Sequence, residues 1–121
     1  MAASIVVFGD EAVGKSAVYR AAVGLDPARD AFGRGYRKTW GSEVRPTKVG
    51  KHIVDLWDLG HGPFKMENIP NLVGGILVHK GDLPEVNEVN FPVVLLNNHK
   101  KCVTGQTARA ALEEIVQLAL G

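Results

Sequence analysis

The sequence predicts a single α/β domain built on a mostly parallel sheet of about five strands. Short apolar runs typical of buried strands recur along the chain, and two helical segments accompany them, one of good helix formers and one with apolar residues at helical spacing. The strand candidates are residues 5–8, 42–48, 51–57, 72–79 and 91–96, and the helix candidates are residues 17–23 and 107–120. A chain of 121 residues has the size of one domain, so we expect one domain over 1–121.

The segment between the first strand and the first helix has the spacing G-x-x-x-x-G-K-S at residues 9–16. Gly9 and Gly14 permit a sharp turn that aims backbone N–H groups at one point, where a phosphate can bind. Lys15 is expected to reach the phosphates and Ser16 to offer its hydroxyl to Mg²⁺. The alternative, a glycine turn with a surface lysine, is disfavoured by the flanking strand and helix. The predicted phosphate-binding residues are Asp10, Glu11, Ala12, Val13, Gly14, Lys15, Ser16 and Ala17.

Residues 25–41 interrupt all periodicity with one proline and three glycines, which predicts a long mobile loop. This loop carries the basic residues Arg34, Arg37 and Lys38. An arginine there could contact the phosphates, but a solvated loop face is the favoured interpretation.

The remaining strands and the last helix follow from turn signals and spacing. Residues 42–48 and 51–57 predict a hairpin with a turn at 49–50, and Pro46 places the first arm at a sheet edge. Only residues 80–90 separate the next two strands, which is too short for an ordinary helical crossover. We therefore expect fewer helices than such a sheet normally has. The final helix, 107–120, has one apolar face to cover the sheet.

Composition excludes several classes of partner. Fourteen basic and thirteen acidic residues leave a net charge of +1, so we expect no nucleic-acid partner. The single Cys102 fits a reducing compartment, and we expect a cytoplasmic protein. No apolar run approaches the roughly 18 residues of a membrane-spanning helix, and no terminal cysteine motif is present, so we expect no direct lipid anchor.

The order of landmarks along the chain resembles that of small Ras-like GTPases, in particular the Rab-like branch. The resemblance covers essentially the whole chain, and the phosphate loop is its most specific part. The other matching segments are Thr39-Trp40-Gly41, Val54-Asp55-Leu56-Trp57-Asp58, Gly74-Gly75-Ile76-Leu77-Val78-His79, Pro92-Val93-Val94-Leu95-Leu96-Asn97-Asn98 and Thr104-Gly105-Gln106.

This resemblance implies a P-loop NTPase-type fold of three layers, reduced in helices relative to the family. It implies GTP or GDP and Mg²⁺ as ligands, with Ser16, Thr39 and Asp58 as the metal-binding residues. It also implies a protein partner, either an effector or a complex-forming protein.

The second switch departs from the family pattern, which has two variable residues between its aspartate and its glycine. Here Asp58-Leu59-Gly60-His61 is one residue shorter. We assign His61 as the candidate catalytic residue that orients water, with an exposed loop histidine as the alternative. Hydrolysis is therefore expected to be slow or dependent on a partner.

The base-reading motif departs as well. Where the family has Asn-Lys-x-Asp, this chain has Asn98-His99-Lys100-Lys101. Lys101 cannot replace the acidic residue because an ammonium only donates hydrogen bonds. Loss of a charge-assisted hydrogen bond weakens guanine preference by about ten- to a hundredfold. The predicted base-binding residues are Asn98, His99, Lys101 and Cys102.

The third departure is length, since segments between the predicted strands are missing relative to the family. Their loss would uncover part of the sheet, to be covered by a partner, by self-association or by shorter segments of the chain itself. Two functions therefore stay open: a compact GTPase switch, or a pseudo-GTPase that serves as a structural or interaction subunit. A small-molecule kinase is weaker, because no acceptor-binding or lid segment is evident.

Overall fold

The computed structural model describes residues 2–9, 15–23, 43–59, 66–81, 89–99 and 103–121. Its elements in chain order are β1 (Ala3–Phe8), α1 (Lys15–Ala22), β2 (Glu43–Val49), β3 (His52–Asp58), a 3-10 turn (Met66–Asn68), β4 (Leu72–His79), β5 (Val93–Asn97) and α2 (Gly105–Leu120). The strands form one sheet in the order β2-β3-β1-β4-β5. Only β2 runs antiparallel, so the prediction of an α/β fold with a mostly parallel five-stranded sheet is confirmed.

The predicted boundaries need small corrections at the hairpin and at β5. Val49 pairs with His52 and is buried, so the turn consists of Gly50 and Lys51 rather than residues 49 and 50. Gly50 has a φ of +59°, a conformation that glycine adopts at little cost. At the other end of the sheet, β5 begins at Val93 and not at residue 91. The predicted edge position of Pro46 is confirmed, because β2 is an edge strand of the sheet.

The hydrophobic core of the described residues lies between one face of the sheet and helices α1 and α2. Tyr19 of α1 and both Leu112 and Ile115 of α2 are completely buried there. The strands contribute apolar side chains at alternating positions: Ile5, Val7, Val54, Leu56, Ile76, Val78 and Val94. Among the described residues no α-helix covers the opposite face, and the three-layer arrangement remains a prediction. No helix in the described ranges is both long and apolar enough to cross a membrane.

Two consecutive glycines in β4 set the close packing on both faces of the sheet. A Cβ atom added to Gly74 would lie 2.8 Å from Cγ1 of Ile115 in α2. A Cβ atom added to Gly75 would lie 2.8 Å from the Phe8 ring and 3.1 Å from the Phe91 ring. The first glycine therefore lets α2 approach the sheet, and the second makes room for two aromatic rings on the opposite face.

Helix α2 is fixed at its start and joined to α1. Thr104 accepts a hydrogen bond from the Thr107 backbone N–H, and the Thr107 hydroxyl accepts one from the Thr104 N–H, which is a reciprocal capping arrangement. The capping residue was not predicted, and the helix begins at Gly105, two residues earlier than expected. Arg109 donates to the carbonyl oxygen of Ala22, at the end of α1, and to that of Lys48 in β2.

Candidate functional site

The site lies at the edge where the parallel strands end. Because β1, β3, β4 and β5 are parallel, their carboxyl ends meet at one edge of the sheet, and α1 begins beside the end of β1. Ligands of open α/β sheets bind at this edge. Gly9 follows β1 there with a φ of +153°, which side-chain-bearing residues rarely adopt. The predicted need for glycine at this position is thus met.

Ser16 and Asp58, two of the three predicted metal ligands, are brought together. The Ser16 hydroxyl donates a hydrogen bond of 2.9 Å to Oδ2 of Asp58. Ser16 is the second residue of α1, and Asp58 ends β3 opposite Val7 of β1. The two residues are 42 positions apart in sequence. Their contact therefore depends on the parallel pairing of β3 with β1 and not on local structure.

The carboxyl group of Asp58 is held in an unusual environment. Its side chain is 1% exposed, and this burial raises its pKa above the ordinary value of 3.8. The hydrogen bond from Ser16 and the charge of Lys15 oppose the increase, whereas the charge of Glu43 adds to it. Oδ1 of Asp58 is buried and has no hydrogen-bond partner among the described residues. An anchored carboxylate with one unpartnered oxygen is a suitable ligand for a divalent cation.

Lys15 supplies the positive charge of the site. It is the first residue of α1 and is only 8% exposed, although it is a lysine. A buried lysine requires anionic or polar partners, because leaving an ammonium group in an apolar environment is costly. Lys15 lies close enough to lower the pKa of Asp58, and it makes further interactions. Ala17, which was also predicted to bind phosphate, is exposed in the first turn of α1.

Asn98 and its neighbours connect the ends of β4, β5 and α2. The Asn98 backbone N–H donates to the His79 carbonyl oxygen at 2.7 Å, and its side-chain oxygen accepts from the Val103 N–H at 3.2 Å. The side-chain oxygen of Asn97 accepts from the backbone N–H groups of Gly81 and His99. Asn98 thus fixes the connection that precedes α2, a positioning role for the segment predicted to bind the base.

The sequence reasoning missed Glu43 and Asn97. Glu43 begins β2 directly opposite Asp58, and its carboxylate forms an ion pair of 3.0 Å with Arg45. The hairpin was predicted, but its register had to be known before Glu43 could be placed beside Asp58. For Asn97 the available signal was its position at the end of an apolar strand, where a short amide side chain often caps the following backbone.

Several predicted site residues lie outside the described residues, and their roles stay predictions: Asp10, Glu11, Ala12, Val13, Gly14, Thr39, His61, Lys101 and Cys102. Within the described ranges no three His, Cys, Asp or Glu side chains are grouped as a metal site.

No protein-family model matches the chain, and no curated protein sequence matches it. The function is therefore argued from the residues at the carboxyl edge of the sheet.

Proposed function

We propose that this protein is a compact, Rab-like small GTPase that binds a nucleoside triphosphate with Mg²⁺ and acts as a molecular switch. The observation that supports the proposal most is the hydrogen bond between Ser16 and Asp58. It joins the residue that ends the G-x-x-x-x-G-K-S motif to the residue that ends the neighbouring strand. A phosphate loop followed by a hydroxyl and an aspartate at one point is the arrangement that positions Mg²⁺ beside a triphosphate.

The metal would be held by the Ser16 hydroxyl and by Asp58, directly or through water, and Thr39 completes the predicted protein set. Oδ1 of Asp58, which has no hydrogen-bond partner within the described ranges, is the oxygen available for this interaction. A bound divalent cation favours the ionised carboxylate and so opposes the effect of burial on the pKa of Asp58. When bound, the cation neutralises charge on the phosphate oxygens.

Lys15 and the residues before it would bind the phosphates. The backbone N–H groups of residues 10–17 present donors to the phosphate oxygens, and Lys15 contacts the terminal ones. In hydrolysis, water adds to the terminal phosphorus and the bond to the bridging oxygen breaks. The products are inorganic phosphate and a nucleoside diphosphate. His61 is the candidate for orienting that water, and the shortened segment around it agrees with slow or partner-dependent turnover.

Signalling would follow from the two loops at residues 29–40 and 58–64, which contact the terminal phosphate in this mechanism. Their order would depend on whether a triphosphate or a diphosphate is bound, and an effector or complex-forming protein would read the difference. We propose GTP as the preferred nucleotide. Discrimination against ATP is expected to be reduced, because the acidic base-reading residue is absent.

The alternative is a pseudo-GTPase that serves as a structural or interaction subunit. Two observations favour it. Oδ2 of Asp58 accepts a hydrogen bond from Ser16, and the side-chain oxygen of Asn98 accepts one from the Val103 N–H before α2, so both side chains have structural roles without a nucleotide. The intact Lys15 and Ser16 oppose it, since a scaffold has no chemical need for this pair.

Calorimetric titration distinguishes the two functions. Nucleotide-free protein is titrated with GTP, GDP and ATP, and the experiment is repeated with Lys15→Ala and with Lys51→Ala as the control. Lys51 is an exposed lysine in the hairpin turn before β3, at the amino ends of the parallel strands and away from the site. A GTPase requires nucleotide binding that Lys15→Ala abolishes and Lys51→Ala leaves unchanged. Absence of binding by the folded wild type would reject the GTPase in favour of the scaffold.

A further inference from the structure

The two edges of the sheet differ in how they are protected against pairing with another chain. Edge strands expose backbone N–H and C=O groups, and proteins commonly block them with proline and with charged residues. The β2 edge has both kinds of protection, in Pro46 and in Arg45 and Lys48. The β5 edge has neither, because residues 89–98 contain no charged residue and the only proline precedes the strand.

The outer edge of β5 has hydrogen-bonding groups available at alternate residues. The bonds that join β5 to β4 include the Pro92 carbonyl oxygen and the Asn98 N–H, which places the even-numbered residues toward β4. The backbone groups of Val93 and Leu95 therefore point away from β4, since these groups alternate along a strand. Among the described residues, no strand pairs with this edge.

The side chains of β5 also suit an apolar contact. Leu95 pairs with Leu77 in the sheet and lies on the face opposite the helices, where its side chain is 40% exposed. Val94 on the other face is buried. A partner strand at this edge would bury Leu95 without removing any charge from water, which is a favourable contribution to association.

We infer that the β5 edge is the interface for a second copy of this chain, which pairs antiparallel to form a continuous ten-stranded sheet. A second copy fits because a twofold axis at Leu95 makes its N–H and C=O groups bond reciprocally to those of the partner's Leu95. The same axis brings no like charges together at β5. The β2 edge is less suited to a second copy, because Pro46 cannot donate a hydrogen bond to another strand and the charged residues Arg45 and Lys48 lie beside it.

This inference goes beyond the proposed function and does not depend on nucleotide binding. In the antiparallel arrangement the carboxyl edges of the two subunits point in opposite directions, so the two candidate sites lie far from the axis. The dimer is therefore expected to form equally well with and without nucleotide. Its absence would leave the GTPase proposal untouched.

Sedimentation velocity over a concentration series tests the dimer. The wild-type chain is expected to shift from 13.0 kDa to twice that mass as its concentration rises. Leu95→Lys is expected to weaken the dimer at least about tenfold, because each interface contains the substitution twice and opposes two like charges. The control is Ile53→Lys, an equivalent change at a 63% exposed position of β3 on the same face of the sheet. It should leave the dimer unchanged.

Disulfide trapping supplies a second test that tolerates weak association. In a hydrogen-bonded antiparallel pair the Cα atoms are about 5.5 Å apart, within the range that a disulfide bridges. Leu95→Cys is therefore expected to form a covalent dimer under mild oxidation by copper-phenanthroline. The wild type, which retains Cys102, and Ile53→Cys are the controls and should not. A wild type that stays monomeric at every concentration would overturn the proposal, as would equal loss of dimer in Leu95→Lys and Ile53→Lys.

Discussion

The Ser16 hydroxyl and Oδ2 of Asp58 are joined by a hydrogen bond of 2.9 Å. This bond connects the first turn of α1 to the end of β3, at the edge of the sheet where ligands of α/β proteins bind. It orients a buried carboxylate whose second oxygen has no hydrogen-bond partner in the part of the chain that the structure describes.

Replacing Asp58 with asparagine should stabilise the protein at neutral pH in the absence of metal. The pKa of Asp58 is raised in the folded protein, chiefly by burial, so the folded state binds this proton more tightly than the unfolded chain. The free energy of unfolding therefore falls as the pH rises from 3.8, the ordinary pKa, through the folded pKa. The total loss is about 1.4 kcal/mol for each unit by which the folded pKa exceeds the ordinary one. Asparagine has no such titration and can still accept the bond from Ser16.

The measurement is the free energy of unfolding in urea, between about pH 4 and about pH 7, for the wild type and for Asp58→Asn. The difference between them should grow with pH in favour of the variant. Saturating Mg²⁺ and GTP should reverse the order, because only the carboxylate binds the cation well. A difference that does not change with pH would contradict the inferred environment of Asp58.

Gly74→Ala should destabilise the fold by about 1–3 kcal/mol, because the added Cβ meets Ile115 in a filled core. That contact would be 2.8 Å, and Ile115 is completely buried, so α2 must shift. Gly105→Ala is the matched control. It adds the same methyl group where nothing lies within 4 Å, at the first residue of α2. Thermal unfolding should show a loss for the first variant only, and equal effects would mean that α2 does not pack closely on β4.

Arg109→Gln should lower stability by about 1–2 kcal/mol through loss of its bonds to the carbonyl oxygens of Ala22 and Lys48. These bonds join α1 and β2 to α2. The control is Glu113→Gln, which removes only the ion pair at 4.0 Å between exposed groups and should change stability by less than about 0.5 kcal/mol. Urea unfolding of both variants checks this prediction. A larger effect from Glu113→Gln would show that the ion pair, and not the carbonyl contacts, stabilises this region.

Lys101→Asp should restore an acidic residue to the base-reading position and raise the preference for GTP over ATP by about ten- to a hundredfold. The control is Lys100→Asp, which makes the same change in charge one residue earlier. Competition binding with the two nucleotides gives the ratio for each variant. An equal change in both would indicate a general electrostatic effect, and no change in either would argue that this segment does not contact the base.

The sequence predicted the sheet well because its signals are local. Each parallel strand is a short apolar run bounded by turn residues. Strand β4 was predicted in spite of Gly74 and Gly75, because the residues on either side of them are strongly apolar. Pro46 predicted an edge strand for a direct reason, its missing N–H. The hairpin turn was misplaced by one residue, because only the pairing of Val49 with His52 shows which glycine-containing pair forms the turn.

The residues of the candidate site could be predicted only where they belong to a recognisable motif or lie next to a predicted strand. Lys15 and Ser16 belong to a spacing with a known mechanism, and Asp58 directly follows the strand predicted at residues 51–57. Glu43 was missed because its proximity to Asp58 depends on hairpin register, and Asn97 because its bonds join two loops. The capping role of Thr104 was missed because the predicted helix began at residue 107, although threonine is a preferred residue before a helix.

The central claim is that Ser16 and Asp58 hold Mg²⁺ beside a nucleoside triphosphate. The most direct measurement is the affinity for GTP with Mg²⁺ and with EDTA, determined for the wild type, Ser16→Ala and Ser16→Thr. We expect Mg²⁺ to increase the affinity of the wild type at least about tenfold. This increase should be lost in Ser16→Ala and kept in Ser16→Thr, which retains the hydroxyl. Affinity that is independent of Mg²⁺ in the folded wild type, or an unchanged increase in Ser16→Ala, would contradict the claim.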